Sequence, residues 1–199
     1  MKIYKKINST PLTSDEINKK LSLLPQYLQN KISNYVSIQK KQQRIEGLEL
    51  LLIALKKNEI DENGIFSIYY NNYGKPFINP DIDFSISYSN TTTVLGFITN
   101  GWVGVDVEQI KPIDCSLHKE YFTTREWMFL IKNSFRADTF FQLWTRKEAV
   151  VKAIGKGAFL DFNLIEVLEE SITIDGIQLF VTTEFFDEYC LSIACSEIR

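Results

Sequence analysis

Asp106, Glu108, Glu126 and Glu148, together with Lys147 and Lys152, are the side chains of this 199-residue chain whose types and spacing suit chemistry. The stretch WTRKEAVVK, residues 144–152, lies in an apolar run from Phe140 to Gly155. On a helix, Trp144, Glu148 and Lys152 fall four residues apart and share one stripe, flanked by Lys147 and Val151. Taken alone, Glu148 and Lys152 make an exposed pair worth about 0.2–0.5 kcal/mol. The second constellation is Gly104-Val-Asp106-Val-Glu108. On a strand, both carboxylates project from one face, about 7 Å apart along the backbone, while Val105 and Val107 turn into apolar packing. Such a pair suits either a solvated strand end or two like charges with a cation between them. A site with few oxygen ligands fits Mg²⁺ that also holds substrate phosphates and water. Glu126 ends the capping box Thr123-Thr-Arg-Glu126, which accounts for it without any catalytic role. As one set, the carboxylates and ammonium groups suit a magnesium ion on a diphosphate with lysines on the phosphate oxygens. The residues alone lead to Mg²⁺-dependent phosphate-ester chemistry.

Composition narrows the field. The net charge of −3 excludes a general nucleic-acid coat, which needs a strongly basic surface. The basic residues are uneven, however: Lys40, Lys41 and Arg44 belong to a lysine-rich first quarter. With a single histidine, His118, neither a Ser-His-Asp triad nor a histidine zinc site is expected. Cys115, Cys190 and Cys195 lack metal-ligand spacing and fit reduced thiols in a cytoplasmic protein. The start, MKIYKKINSTP, has no apolar core, and no run approaches 18 apolar residues, so neither a signal peptide nor a membrane span is expected.

The elements that must position these groups follow from periodicity. A strand is predicted over 1–8, a helix capped at Thr13 by Glu16 through Leu24, and a second short helix after Pro25. A long helix from about Ser37 carries Ile45, Leu48, Leu52 and Leu55 on one face. Residues 61–64 break it, and period-two patterning then predicts strands at 65–70, 84–88, 93–99 and 102–108, with an extended piece at 75–78. Asn100-Gly101 reads as a hairpin turn between the last two. Helices return at 123–132 and from an N-cap at Asp138 to Gly155. Strands at 164–168, 171–174, 177–184 and 189–195 close the chain, with Asp175-Gly176 as a hairpin turn. The order helices, strands, helices, strands predicts an α+β fold with antiparallel sheets, in two similar halves, 1–100 and 101–199, packed as one body.

Five stretches in order resemble the 4′-phosphopantetheinyl transferases, in particular the larger surfactin-synthetase-activating branch. VGVDVE resembles the family's G-[IV]-D-x-E strand, and WTRKEAVVKAIGKG its W-x-x-K-E-[AS]-x-x-K helix followed by G-x-G. Asn72-Tyr-Gly-Lys-Pro76, Phe84-Ser-Ile-Ser-Tyr-Ser89 and Tyr121-Phe-Thr-Thr-Arg-Glu126 match its YGKP, F-N-[IL]-S-H-S and F-[FS]-x-x-E segments. Tyr88 stands where the family commonly has histidine, Ser85 replaces asparagine, and Arg44 precedes Gly47 by three residues rather than four.

The resemblance implies transfer of the phosphopantetheine arm of coenzyme A to a serine of an apo acyl or peptidyl carrier protein, releasing adenosine 3′,5′-bisphosphate. It implies Mg²⁺ on Asp106, Glu108 and Glu148, with Lys152 on the attacked phosphate and Lys147 supporting it. Glu126 or Glu148, directly or through a metal-bound water, would take the serine proton. Lys75 and Pro76 would line the adenine pocket, while Ser87, Tyr88, Ser89 and Arg44 would approach the phosphates. It further implies a pseudo-two-fold, cytoplasmic monomer with its active site between the halves. The same carboxylates would also serve another Mg²⁺-dependent phosphohydrolase or nucleotidyl transferase, and a non-catalytic coenzyme A-binding module is a third reading.

Overall fold

The computed structural model describes residues 1–7, 10–157 and 160–196. Strand β1 (Lys2–Ile7) is followed by helices α1 (Ser14–Leu21), α2 (Gln26–Ser33) and α3 (Ile38–Lys57). The last residue of the strand predicted over 1–8 lies outside the described residues. Short strands β2 (Tyr69–Tyr70) and β3 (Pro76–Phe77) precede β4 (Ile82–Ser89), β5 (Thr92–Thr99) and β6 (Val103–Gln109). Then come α4 (Thr124–Lys132) and α5 (Ala137–Ile154), and strands β7 (Ser171–Ile174), β8 (Ile177–Phe186) and β9 (Tyr189–Cys195). The fold is α+β with antiparallel sheets, as expected.

Both predicted capping boxes are present: Thr13 with Glu16 opens α1, and Thr123 with Glu126 opens α4. Asp175 and Gly176, both at positive φ, make the β7–β8 hairpin turn. Four predicted features differ. Residues 62–67 form a 3₁₀ turn, leaving only Tyr69–Tyr70 as strand, and 162–164 form another, with no strand over the predicted 164–168. Helix α5 starts two residues early, with Arg136 rather than Asp138 at the N-cap position, and Asp138 in its first turn holds Arg136 by an ion pair.

The fourth difference concerns topology. Asn100-Gly101 does not close a hairpin, because β5 and β6 belong to different sheets. One sheet has the order β1-β5-β4, and the other β6-β9-β8-β7. Asn100 does turn the chain at positive φ, but its amide bonds back to Asp81, and β6 takes β9 as its partner. Edge strands β4 and β6 therefore face one another. Helix α3 covers the first sheet through Leu51, Leu55, Phe84, Leu95 and Phe97, and α5 covers the second through Leu143, Val150, Leu179 and Val181. Val94, Ile98, Val105, Val107 and Leu191 form a separate apolar cluster along β5, β6 and β9. Among the described residues, no helix is long and apolar enough to cross a membrane.

Candidate active site

Helix α5 is seated directly on β6. A Cβ at Gly104 would overlap the Ala149 carbonyl oxygen and the Ala153 amide, so glycine lets the helix backbone meet the strand. Gly155, at φ 73°, ends the helix in the left-handed conformation, and a Cβ there would press on the Lys75 side chain. This seat brings the stripe of α5 to the strand that carries Asp106. Trp144 anchors the stripe at its start, stacked on Phe140 at 6.0 Å and on Phe162 at 5.6 Å between ring centroids.

A cavity of about 560 Å³ opens between α3, β4, the loop before β3, and α5. Arg44, Lys75, Pro76, Tyr88, Glu148 and Lys152 line it. Lys152 Nζ donates to Asp106 Oδ1 at 2.6 Å and to Ser87 Oγ at 3.2 Å. Asp106 is 3% exposed, and its Oδ2 is buried without a hydrogen-bond partner. An unpaired buried carboxylate oxygen is costly unless a cation or donor meets it. Burial and the charge of Asp106 push the carboxyls of both Glu108 and Glu148 upward, opposed by Lys152. Three carboxylates thus share a field with one ammonium. Among the described residues, no three His, Cys, Asp or Glu side chains converge as metal ligands do.

Glu126 and Lys147 are not brought to this corner. They pair with each other at 2.7 Å, both fully buried. Glu126 also accepts from the amides of Thr123 and Val167 at 2.8 and 2.9 Å, and Lys147 donates to the carbonyls of Phe162 and Ile165. The capping-box explanation of Glu126 is therefore the one its surroundings support. Lys147 precedes Glu148 by one residue, so on a helix it leaves about 100° away, into the core. Burial pushes its ammonium pKa down, opposed by Glu126.

On the opposite wall, the Arg44 guanidinium lies 4.2 Å from the Tyr88 ring centroid and 5.3 Å from that of Tyr35. A Cβ at Gly47 would overlap the Tyr88 hydroxyl, so the bulk of Tyr88 is accommodated by the glycine one turn along α3. Burial raises the Tyr88 phenol pKa. Lys75 lines the cavity, but its ammonium is held by Asp83 Oδ2 at 2.6 Å and by the carbonyls of Ala153 and Val103 at 3.1 and 3.3 Å. Asn71 adds a bond to Gly155 O at 2.8 Å, so the loop caps the end of α5. Ser87 and Ser89 do not line the cavity. Their hydroxyls donate to Asp106 at 2.8 Å and Glu108 at 3.0 Å. The sequence motifs do not single out Asp83 or Asn71 as site residues. The signal for Asp83 is its place in an alternating polar row, Asp83-x-Ser85-x-Ser87-x-Ser89, on an otherwise apolar strand.

Comparison with known proteins adds an independent line. Residues 102–194 match the model of the 4′-phosphopantetheinyl transferase superfamily. The chain is 43% identical over 96 residues to the 4′-phosphopantetheinyl transferase gsp of Aneurinibacillus migulanus, an alignment covering 47% of this chain and 40% of that protein. It is 28% identical over 173 residues to the 4′-phosphopantetheinyl transferase Sfp of Bacillus subtilis, covering 84% of this chain and 76% of that one. The 4′-phosphopantetheinyl transferase pptA of Paxillus involutus is 27% identical over 78% of this chain and 69% of its own length.

Proposed function

We propose that the chain is a 4′-phosphopantetheinyl transferase, which transfers the phosphopantetheine arm of coenzyme A to a serine of an apo acyl or peptidyl carrier protein; the similarity of residues 102–194 to that superfamily supports this. The observation that carries this reading is Lys152, on the wall of a cavity large enough for a nucleotide-sized ligand and paired with the buried Asp106 behind it. Residues 1–100 and 101–199 are read as two halves of one cytoplasmic, monomeric body.

Asp106, Glu108 and Glu148 are the residues that would hold Mg²⁺. The unpartnered Asp106 Oδ2 and the mutual repulsion of the three carboxylates fit a divalent cation, although the side chains must draw together to ligate it. When bound, the ion would neutralise charge on the diphosphate. The chain's own groups do the rest. Lys152 meets the attacked phosphate and offsets the negative charge that builds there during in-line displacement. Glu148, on the cavity wall beside Lys152, takes the proton from the carrier serine. That proton transfer accompanies formation of the new oxygen–phosphorus bond, and adenosine 3′,5′-bisphosphate leaves. Lys75 and Pro76 border the base end of the cavity, and Arg44 with Tyr88 supplies cationic and hydroxyl contacts at the other wall. We assign Glu126 and Lys147 to holding α4, α5 and the 162–167 segment together, with no contact to substrate.

The test is mass spectrometry of a panel of apo carrier proteins incubated with the protein, coenzyme A and Mg²⁺. A gain of one phosphopantetheine on at least one carrier is expected. No gain on any carrier, with phosphate or pyrophosphate released from nucleotides instead, would replace the transferase reading with a phosphohydrolase.

A further inference from the structure

Strands β4 and β6 lie side by side at the junction of the two sheets, yet they exchange no ladder of backbone bonds. The antiparallel pairing of β6 with β9 uses one edge of β6, and the amides on its other edge need partners. Side chains of β4 supply them at a constant offset of twenty residues. Val103 N donates to Asp83 Oδ2 at 2.7 Å, Val105 N to Ser85 Oγ at 3.1 Å, Val107 N to Ser87 Oγ at 3.2 Å, and Gln109 N to Ser89 Oγ at 2.9 Å. The constant offset makes the two strands run parallel. Every second side chain of β4 stands in for the carbonyl that a paired strand would offer.

A serine hydroxyl that accepts an amide still has its own proton to give. Ser87 gives it to Asp106 Oδ1 at 2.8 Å, and Ser89 to Glu108 Oε2 at 3.0 Å. All three serines are under 9% exposed, so water does not compete freely for these bonds. On Asp106, Ser87 and Lys152 both take Oδ1, and Oδ2 is left without a partner.

We infer that Ser87 and Ser89 are positioning residues: each ties a β6 amide to a carboxylate, aiming Asp106 and Glu108 so that a divalent cation meets an already oriented pair. The inference rests on the reading of these carboxylates as metal-holding. It assigns the two serines to the carboxylates rather than to the phosphates of the substrate. Ser85 provides the internal control, since it accepts the same kind of amide bond on the same strand and touches neither carboxylate.

The experiment uses Mn²⁺ as the probe, titrated into the full chain in the presence of coenzyme A. Free Mn²⁺ is followed by electron paramagnetic resonance for the wild type, Ser85→Ala, Ser87→Ala, Ser89→Ala and Ser87→Thr. Urea denaturation is run on each in parallel. All three alanine variants should lower the denaturation midpoint, because each orphans a buried amide. Only Ser87→Ala and Ser89→Ala should weaken Mn²⁺ binding, by about 10-fold or more, as loss of a hydrogen-bond partner to a metal ligand does. Ser87→Thr, which keeps the hydroxyl, should recover most of the affinity. A wild type that binds Mn²⁺, with Ser87→Ala and Ser89→Ala no weaker than Ser85→Ala, would overturn the positioning role alone. A wild type that binds no Mn²⁺ would overturn the metal reading beneath it.

Discussion

Two carboxylate–lysine pairs lie along α5, and they differ in what surrounds them. Glu126–Lys147 is sealed: both side chains are at 0% exposure, and amides and carbonyls take the remaining donors and acceptors. Asp106–Lys152 is open: the lysine is 30% exposed on the cavity wall, and one buried carboxylate oxygen has no partner. Their separations are nearly equal, 2.7 and 2.6 Å. The ion-pair distance therefore says nothing about role. A saturated pair can only hold elements together, whereas an unsaturated one bordering a cavity can accept a ligand.

Breaking the sealed pair should have the largest effect on stability. Lys147→Met leaves a charged, fully buried Glu126 and should cost about 3–5 kcal/mol, seen as a large fall in the urea midpoint. A small loss would mean that the pair is not sealed in solution. Breaking the open pair should reverse the pattern. Lys152→Met should lower the transfer rate about 100-fold, the scale for losing one charge-stabilising group. Its denaturation midpoint should move far less than that of Lys147→Met. Gly104→Ala probes the seat that both pairs share. Its new methyl group must push α5 from β6, costing about 1–3 kcal/mol and lowering the transfer rate together with stability.

The smallest effect is a pH dependence beneath the open pair. Burial pushes the Cys190 thiol up to about 11 from an ordinary 9.0, opposed by its bond to Thr145. The unfolded chain loses that proton first, so this contribution is complete below about pH 9 and declines as the pH rises towards 11. At pH 10 the loss is about 1 kcal/mol, measured as the difference in midpoint between wild type and Cys190→Ala. The same burial should keep Cys190 unreactive to iodoacetamide at pH 8. Fast alkylation of the folded protein would show the core under β6 to be open.

Much of the open site could be read from the sequence. The four-residue spacing of Trp144, Glu148 and Lys152 and the two-residue spacing of Asp106 and Glu108 are local regularities, and helix and strand convert them directly into shared faces. Local patterning also identified both capping boxes and the Asp175-Gly176 turn. Two kinds of information were out of its reach. The first is partner choice: Asn100-Gly101 has hairpin chemistry, but whether the strands it joins will pair depends on β9, some ninety residues on. The second is saturation. Lys147 and Lys152 read alike in one motif, and only the carbonyls of 162 and 165 and the carboxylate of Glu126, brought in by distant segments, separate them. The serines of β4 fall between these cases. Their alternation is plain in the sequence, but the amides that they accept belong to a strand in the other sheet.

Whether the open pair is the reacting corner can be measured directly. An apo carrier protein that the wild type modifies is incubated with coenzyme A, Mg²⁺ and either wild type or Lys152→Met at equal folded concentration, and its intact mass is followed over time. Rapid gain of one phosphopantetheine is expected with the wild type, and about 100-fold slower gain with the variant. Modification by a folded Lys152→Met at the wild-type rate would contradict that role for the pair.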